Sequence, residues 1–297
     1  MPRTPRTVTL AEEGPRSPRQ RRIAAGVALA VVAALGTAAY LGVRHLGQLV
    51  TGEECQVTAS AATFDWAPDQ ASNAAAITAI GLKRELPPRA ASIAIATAMQ
   101  ESKVRNVRFG DRDSLGLFQQ RPSQGWGTAK QILDPEYSTN KFFDALVKVK
   151  GYDTMDIAKA AQAVQRSAAG DAYVQHEAKA RVTASVLSGQ THGGIGCALK
   201  DPQASGDPEA VAQLLAKDFG LKAAVDPGTV TLAAGDADTA WAVASWAVAR
   251  ATETGAVRVT LAGREWRRTM TKSALSWQGT GSAGTAADAT RVVIHLT

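Results

Sequence analysis

Residues 95–119 read Ile95-Ala-Thr-Ala-Met-Gln-Glu101-Ser102-Lys-Val-Arg-Asn-Val-Arg-Phe109-Gly110-Asp111-Arg-Asp113-Ser114-Leu-Gly116-Leu-Phe-Gln119, and the rest of the chain is organised around them. Pro87 and Pro88 punctuate the chain just upstream, so a helix is expected from about residue 89 to 102. Three, four and seven residues before Glu101 stand Ala98, Thr97 and Ala94. The carboxylate therefore shares a helix face with small, mostly apolar side chains rather than with other charges. A carboxylic acid so placed is desolvated, and desolvation raises its pKa, which is what a general acid needs near neutral pH. The bland alternative is a solvated glutamate at a helix C-terminus, where the helix dipole disfavours it slightly. Glycines at 110, 116, 125 and 127 then break the helical period, and a loop is expected.

Working outward, helical periodicity covers residues 69–84, 135–150, 156–166 and 171–187. Residues 198–207, with Pro202, Ser205 and Gly206, read as a linker. Beyond it, 208–219 and 238–254 read as helices, while 229–232, 257–261 and 292–296 alternate apolar and polar residues as strands do. Residues 208–297 are thus expected to form a small α+β domain.

The net charge of +6 is mostly local. Residues 1–22 hold six arginines against Glu12 and Glu13, and read as a disordered basic tail. What remains is close to neutral, with no basic stripe to follow a phosphate backbone, so nucleic-acid binding is not expected. Residues 23–43 are 21 consecutive uncharged positions, enough for a helix to span a hydrocarbon core of roughly 30 Å. Arg16, Arg19, Arg21 and Arg22 precede them, which puts the N-terminus in the cytoplasm and everything after about residue 44 outside. The run exceeds the apolar core of a signal peptide, which favours an anchor in the cytoplasmic membrane over a cleaved leader. Residues 44–67 read as a juxtamembrane linker.

Cys55 and Cys197 are the only cysteines, and both fall on the exported side, where an oxidising compartment permits a disulfide. Two thiols alone make no structural zinc site, and His176 and His192 lack ligand partners at useful spacing. No metal or other cofactor is expected.

Glu101-Ser102, followed about a dozen residues later by Ser114-Leu-Gly116-Leu-Phe-Gln119, resembles the soluble lytic transglycosylases and goose-type lysozymes. The resemblance covers about residues 68–190. It implies a mainly α, lysozyme-like domain at 68–197, so that with the elements read above the expected order is one transmembrane helix, this domain and the small α+β domain. It further implies an enzyme that cuts the MurNAc–GlcNAc β-1,4 bond of peptidoglycan glycan strands, which the anchor read at 23–43 would tether to the membrane on its outer side. Carried over by position, Glu101 is the acid/base and Ser102 holds the local geometry. Ser114 matches the serine before the glycine motif, Gln119 bonds substrate, and Gly116 lets the backbone approach a sugar. The family's Ala-Tyr-Asn segment is replaced by Ala163-Val164-Gln165, so Gln165 stands for the asparagine and Val164 for the tyrosine. Tyr173, in a Tyr-Val pair expected on the last helix of the domain, is left to supply the aromatic side of the cleft.

Reaction type turns on a second carboxylate, since glycosidases ordinarily use two. The family resembled often manages with one, the acid returning as base on the sugar's own hydroxyl to leave an anhydro product. Asp111 and Asp113 are the candidates for a hydrolytic muramidase, and ordinary loop ion pairs with Arg108 or Arg112 are the alternative. A third reading is a catalytically weak wall-binding protein. Trp126 either stacks on a sugar or closes the core beneath its loop, whereas Phe109, Tyr137, Phe142 and Phe143 are assigned to the core. Trp241, Trp246, Trp266 and Trp277 form either a small core or a glycan-binding face, with helical spacing favouring core.

Overall fold

The structure, a computed structural model, describes residues 52–165, 170–281 and 286–297. The basic tail, the expected anchor at 23–43 and Arg166 lie outside the described residues. Among those described, no helix is long and apolar enough to cross a membrane.

In chain order come β1 (Glu54–Ala59), β2 (Ala62–Trp66), α1 (Pro68–Lys83), α2 (Pro88–Ser102), α3 (Ala129–Ile132), α4 (Pro135–Leu146), α5 (Ile157–Gln165) and α6 (Glu177–Leu187). There follow β3 (Ile195–Ala198), α7 (Pro208–Phe219), β4 (Ala224–Asp226), β5 (Thr229–Ala233), α8 (Ala237–Ala249) and α9 (Ala251–Thr254). The chain ends with β6 (Arg258–Leu261), β7 (Arg264–Arg267), β8 (Gln278–Gly279) and β9 (Arg291–His295). This overturns the expected mainly α fold. The described chain is mixed α/β, with a three-stranded sheet ordered β2-β1-β3 and a six-stranded sheet ordered β4-β5-β9-β6-β7-β8. Residues 54–66, expected to be linker, form the β1–β2 hairpin. Cys55, Val57 and Ala59 face inward, but two of these three are small, so the alternation is a weak sequence signal.

β1 and β3 pair antiparallel with Cys55 directly opposite Cys197. The Thr58 N–H bonds Gly194 O at 2.7 Å, so by alternation Cys55 and Cys197 form a non-hydrogen-bonded pair, where side chains lie closest. Their sulfurs are joined, with Cα atoms 3.9 Å apart, and the bridge closes a loop 142 residues long. The other edge of β3 is completed from the C-terminal part of the chain. Trp277 Nε1 donates to Ile195 O at 2.9 Å, Trp266 Nε1 to Cys197 O at 3.2 Å, and Leu199 N to Thr269 O at 3.2 Å. Gly196 is needed at this edge, because a Cβ there would lie 2.2 Å from Leu275 C and 2.5 Å from Ala274 O.

α8 is buried along its whole length from Ala240 to Ala249, as a helix apolar all round must be. It packs on β6 and β9 of the larger sheet, on β3, and on α1 and α6 of the first half. The core therefore continues across the 198–207 segment, and the described residues belong to one compact unit. Trp241, Trp246, Trp266 and Trp277 are all buried, which removes them as a glycan-binding face.

Closing a loop of this length restricts the unfolded chain by about 4–5 kcal/mol of entropy. Replacing both cysteines by serine is expected to lower unfolding free energy by about 3–5 kcal/mol in guanidinium titrations. A midpoint unmoved by the double replacement would show that the bridge does not hold this sheet closed.

Candidate functional site

α2 carries Glu101 to the surface by burying its middle, Ala90–Ala98. Ala90, Ala91 and residues 93–98 are nearly inaccessible, and only the last turn emerges, with Gln100 exposed and Glu101 and Ser102 half-buried. The helix stops in two consecutive left-handed residues, Lys103 at φ 55° and Val104 at φ 57°. That conformation is costly for a β-branched side chain, and Val104 is fully buried. α1 holds the turn in place. Gln70 Nε2 donates to Lys103 O at 2.7 Å, and Asn73 Nδ2 to Val104 O at 2.8 Å. The Arg105 guanidinium clasps Asp69 with contacts of 2.7 and 3.3 Å. Arg112 and Gln119 also have positive φ, so four of the eight such non-glycine residues described lie between 103 and 119. Strain of this kind gathers where a site must be held in one shape.

Tyr173 is 1% exposed, and its hydroxyl donates to Glu101 Oε1 at 2.7 Å. It sits on a 3₁₀ turn, Gly170–His176, rather than on the expected helix, which begins only at Glu177. His176, given no role by the sequence, lies 3.0 Å from Gln100 Oε1 and latches this turn to α2. Burial, then the Lys179 charge, hold its imidazole below the ordinary histidine range. Val164 is buried, so the phenol that reaches Glu101 comes from the turn and not from α5.

The remaining candidates build the loop beside Glu101. Ser102 Oγ donates to Leu117 O at 2.7 Å and Ala98 O at 3.1 Å and accepts the Arg105 N–H, pinning loop to helix. Gly116 has φ 76°, and a Cβ there would lie 2.8 Å from Ile132 O, so glycine serves the packing of the loop on α3. Gln119 folds back, its Nε2 3.3 Å from both Phe109 O and Gly116 O. Gln165 Nε2 donates to Phe118 O at 2.7 Å. Ser114 is buried, its N–H bonded to Asp111 O, and Trp126 packs half-buried on the core. Phe142 and Phe143 are core as expected, but Phe109 is 77% exposed. A separate groove of about 930 Å³, lined by Lys200, Asp207, Lys217, Glu253 and Arg268, contains none of these residues.

Asp113 is committed to the loop itself. Its carboxylate accepts from Arg121 Nε at 2.7 Å, Ser123 N at 2.8 Å and Ser123 Oγ at 3.0 Å. These bonds, the Arg121 one first, hold it well below the usual carboxylate range. Asp111 is 92% exposed at its side chain, and among the described residues its ion pair is with Arg112, at 3.9 Å.

A lowered folded pKa stabilises the loop above the ordinary aspartate value of ~3.9, and the contribution fades as pH falls through the lowered value. Carbon-detected NMR is therefore expected to find Asp113 still ionised at about pH 3, where an ordinary aspartate is largely protonated. Titration in the ordinary range would rule out this clamp. Asn73→Ala strands the Val104 carbonyl and is expected to cost about 1–3 kcal/mol in chemical denaturation.

No protein-family model and no curated protein matches this chain.

Proposed function

We propose that the protein cleaves the glycan strands of peptidoglycan at the MurNAc–GlcNAc β-1,4 bond, as a lytic transglycosylase with Glu101 as its single acid/base. The observation that carries this reading is the 2.7 Å hydrogen bond from the buried Tyr173 hydroxyl to Glu101 Oε1. It supplies, from another part of the chain, the phenol that the resemblance implies beside the glutamate and that Val164 lacks. It also fixes the carboxyl's orientation. With Oε1 engaged, Oε2 makes no hydrogen bond or ion pair among the described residues and is the oxygen left to face a substrate.

In this reading protonated Oε2 gives its proton to the glycosidic oxygen as the bond to the anomeric carbon breaks. The carboxylate then accepts a proton from a hydroxyl of the same sugar as that oxygen closes on the anomeric carbon, leaving an anhydro end. Tyr173 is a positioning residue and takes no proton. Transglycosylation is favoured over hydrolysis because Asp113 is held by Arg121 and Ser123, and Asp111 points into solvent. The disulfide agrees with an oxidising, extracytoplasmic compartment, to which residues 23–43 would tether the chain.

Purified sacculi supply the test. Glu101→Gln keeps the shape and removes the titratable group, and is expected to lower solubilisation at least 100-fold, on the scale of general acid–base catalysis. Mass spectrometry of the wild-type digest should find anhydro ends; reducing ends would replace the transglycosylase by a hydrolase. Tyr173→Phe should lower kcat roughly tenfold with KM unchanged, the cost of one hydrogen bond to a charged group. Undiminished cleavage by Glu101→Gln would remove the proposal altogether.

A further inference from the structure

Phe109 is the most exposed of the large apolar side chains described, at 77%. Leaving a phenylalanine in water forgoes about 1.5–3 kcal/mol of burial. The loop around it is closely fitted. At Gly110 a Cβ would fall 1.8 Å from Gln119 Oε1 and 2.8 Å from Ser114 O, so no other residue fits without shifting that side chain and backbone. The Phe109 carbonyl accepts from Gln119 Nε2 at 3.3 Å, and the Val107 carbonyl from Gly116 N at 2.8 Å. The same loop is joined to the Glu101 helix by the Ser102 Oγ to Leu117 O bond. The backbone on both sides of Phe109 is therefore registered to the segment that flanks Glu101, while its ring stands clear. Val174, 56% exposed, directly follows the Tyr173 that holds Glu101. Two of the four exposed large apolar residues described thus adjoin the elements that place the carboxyl.

We propose that the Phe109 ring is a sugar-binding subsite, stacking on the apolar C–H face of a pyranose in the glycan strand that Glu101 cleaves. The proposal rests on the reading of Glu101 given above. A pyranose with equatorial substituents offers one flat face of C–H groups, which a single aromatic ring can cover while the hydroxyls stay hydrated. A protein partner fits less well, because an interface needs a contiguous apolar patch of some hundreds of Å². Phe109 instead has exposed Arg108, Gly110, Asp111 and Arg112 around it in the chain.

The full-length chain carrying Glu101→Gln, which can bind without cutting, is pelleted with purified sacculi. Aromatic stacking is worth up to about tenfold in affinity. Phe109→Ala and Phe109→Leu are expected to weaken binding by about that factor, with Phe109→Trp restoring it. None of the three should lower the thermal midpoint, since the ring is exposed. In the cleaving chain, Phe109→Ala should raise KM rather than lower kcat. Binding unchanged in Phe109→Ala, or retained in Phe109→Leu, overturns the stacking subsite and leaves the cleavage reading standing. Cleavage that survives Glu101→Gln overturns the reading instead, whatever the binding series shows. If the parent chain does not pellet with sacculi, subsite and reading fall together.

Discussion

The pairing of β1 with β3 is the constraint on which the remaining structure is hung. The chain leaves this sheet at Trp66 and returns to it at Ile195, and the helix that carries Glu101 and the 3₁₀ turn that carries Tyr173 lie between. A short strand in that position has two edges of backbone polar groups to satisfy. One edge of β3 goes to β1, with the disulfide across it, and the other takes the indole N–H groups of Trp266 and Trp277. The C-terminal half is thus not an appendage. It finishes the hydrogen bonding of the strand that closes the first half, and Gly196 keeps the backbone near Leu275 close enough for it to do so.

From β3 the support runs inward to the site through packed elements. α8 lies against β3 and against α1. α1 is also tied to the C-terminal half through charge. Arg250 contacts Asp218 and Glu253, Trp246 Nε1 donates to Asp218 at 2.8 Å, and Ser72 Oγ of α1 donates to Glu253 at 3.2 Å. Burial pushes the Asp218 carboxyl up, against the pull of Arg250. Such a network is weak evidence of stability in itself, but removing one member strands a buried charge, so it specifies how the helices sit. Gln70 and Asn73 on α1 in turn hold the left-handed turn after Glu101. The carboxyl's position therefore depends on residues from both halves of the chain.

Only part of this was legible in the sequence. Helix α2 and the glycine-broken loop after it announce themselves through period and composition, and the helix at 208–219 is legible to its limits because Asp207, Pro208 and Gly220 are strong end signals. The β1–β2 hairpin reads as linker in the sequence because its inward residues are mostly small. The sequence offers Tyr173 as an aromatic of the cleft, but its bond to Glu101 spans 72 residues, and no local pattern encodes it. From sequence Phe109 is expected in the core, as aromatic residues usually are. Exposure is decided by what the rest of the fold leaves uncovered, which one sequence does not state.

The glutamines of the motif show why a resemblance in sequence carries architecture more readily than contacts. Gln119, Gln120 and Gln165 each spend a side-chain amide on a backbone carbonyl, of Phe109 and Gly116, of Ser138, and of Phe118 respectively. Ser102 and Gly116 serve the loop in the same way. Irregular backbone beside a helix end has carbonyls and N–H groups without a ladder, and they must be paired. Short polar side chains at fixed spacing do that work, so the spacing reports a loop shape first. A loop held this firmly leaves little of itself free to bind a ligand. Oε2 of Glu101 and the bare ring of Phe109, one polar and one apolar, stand on elements bonded to each other through Ser102.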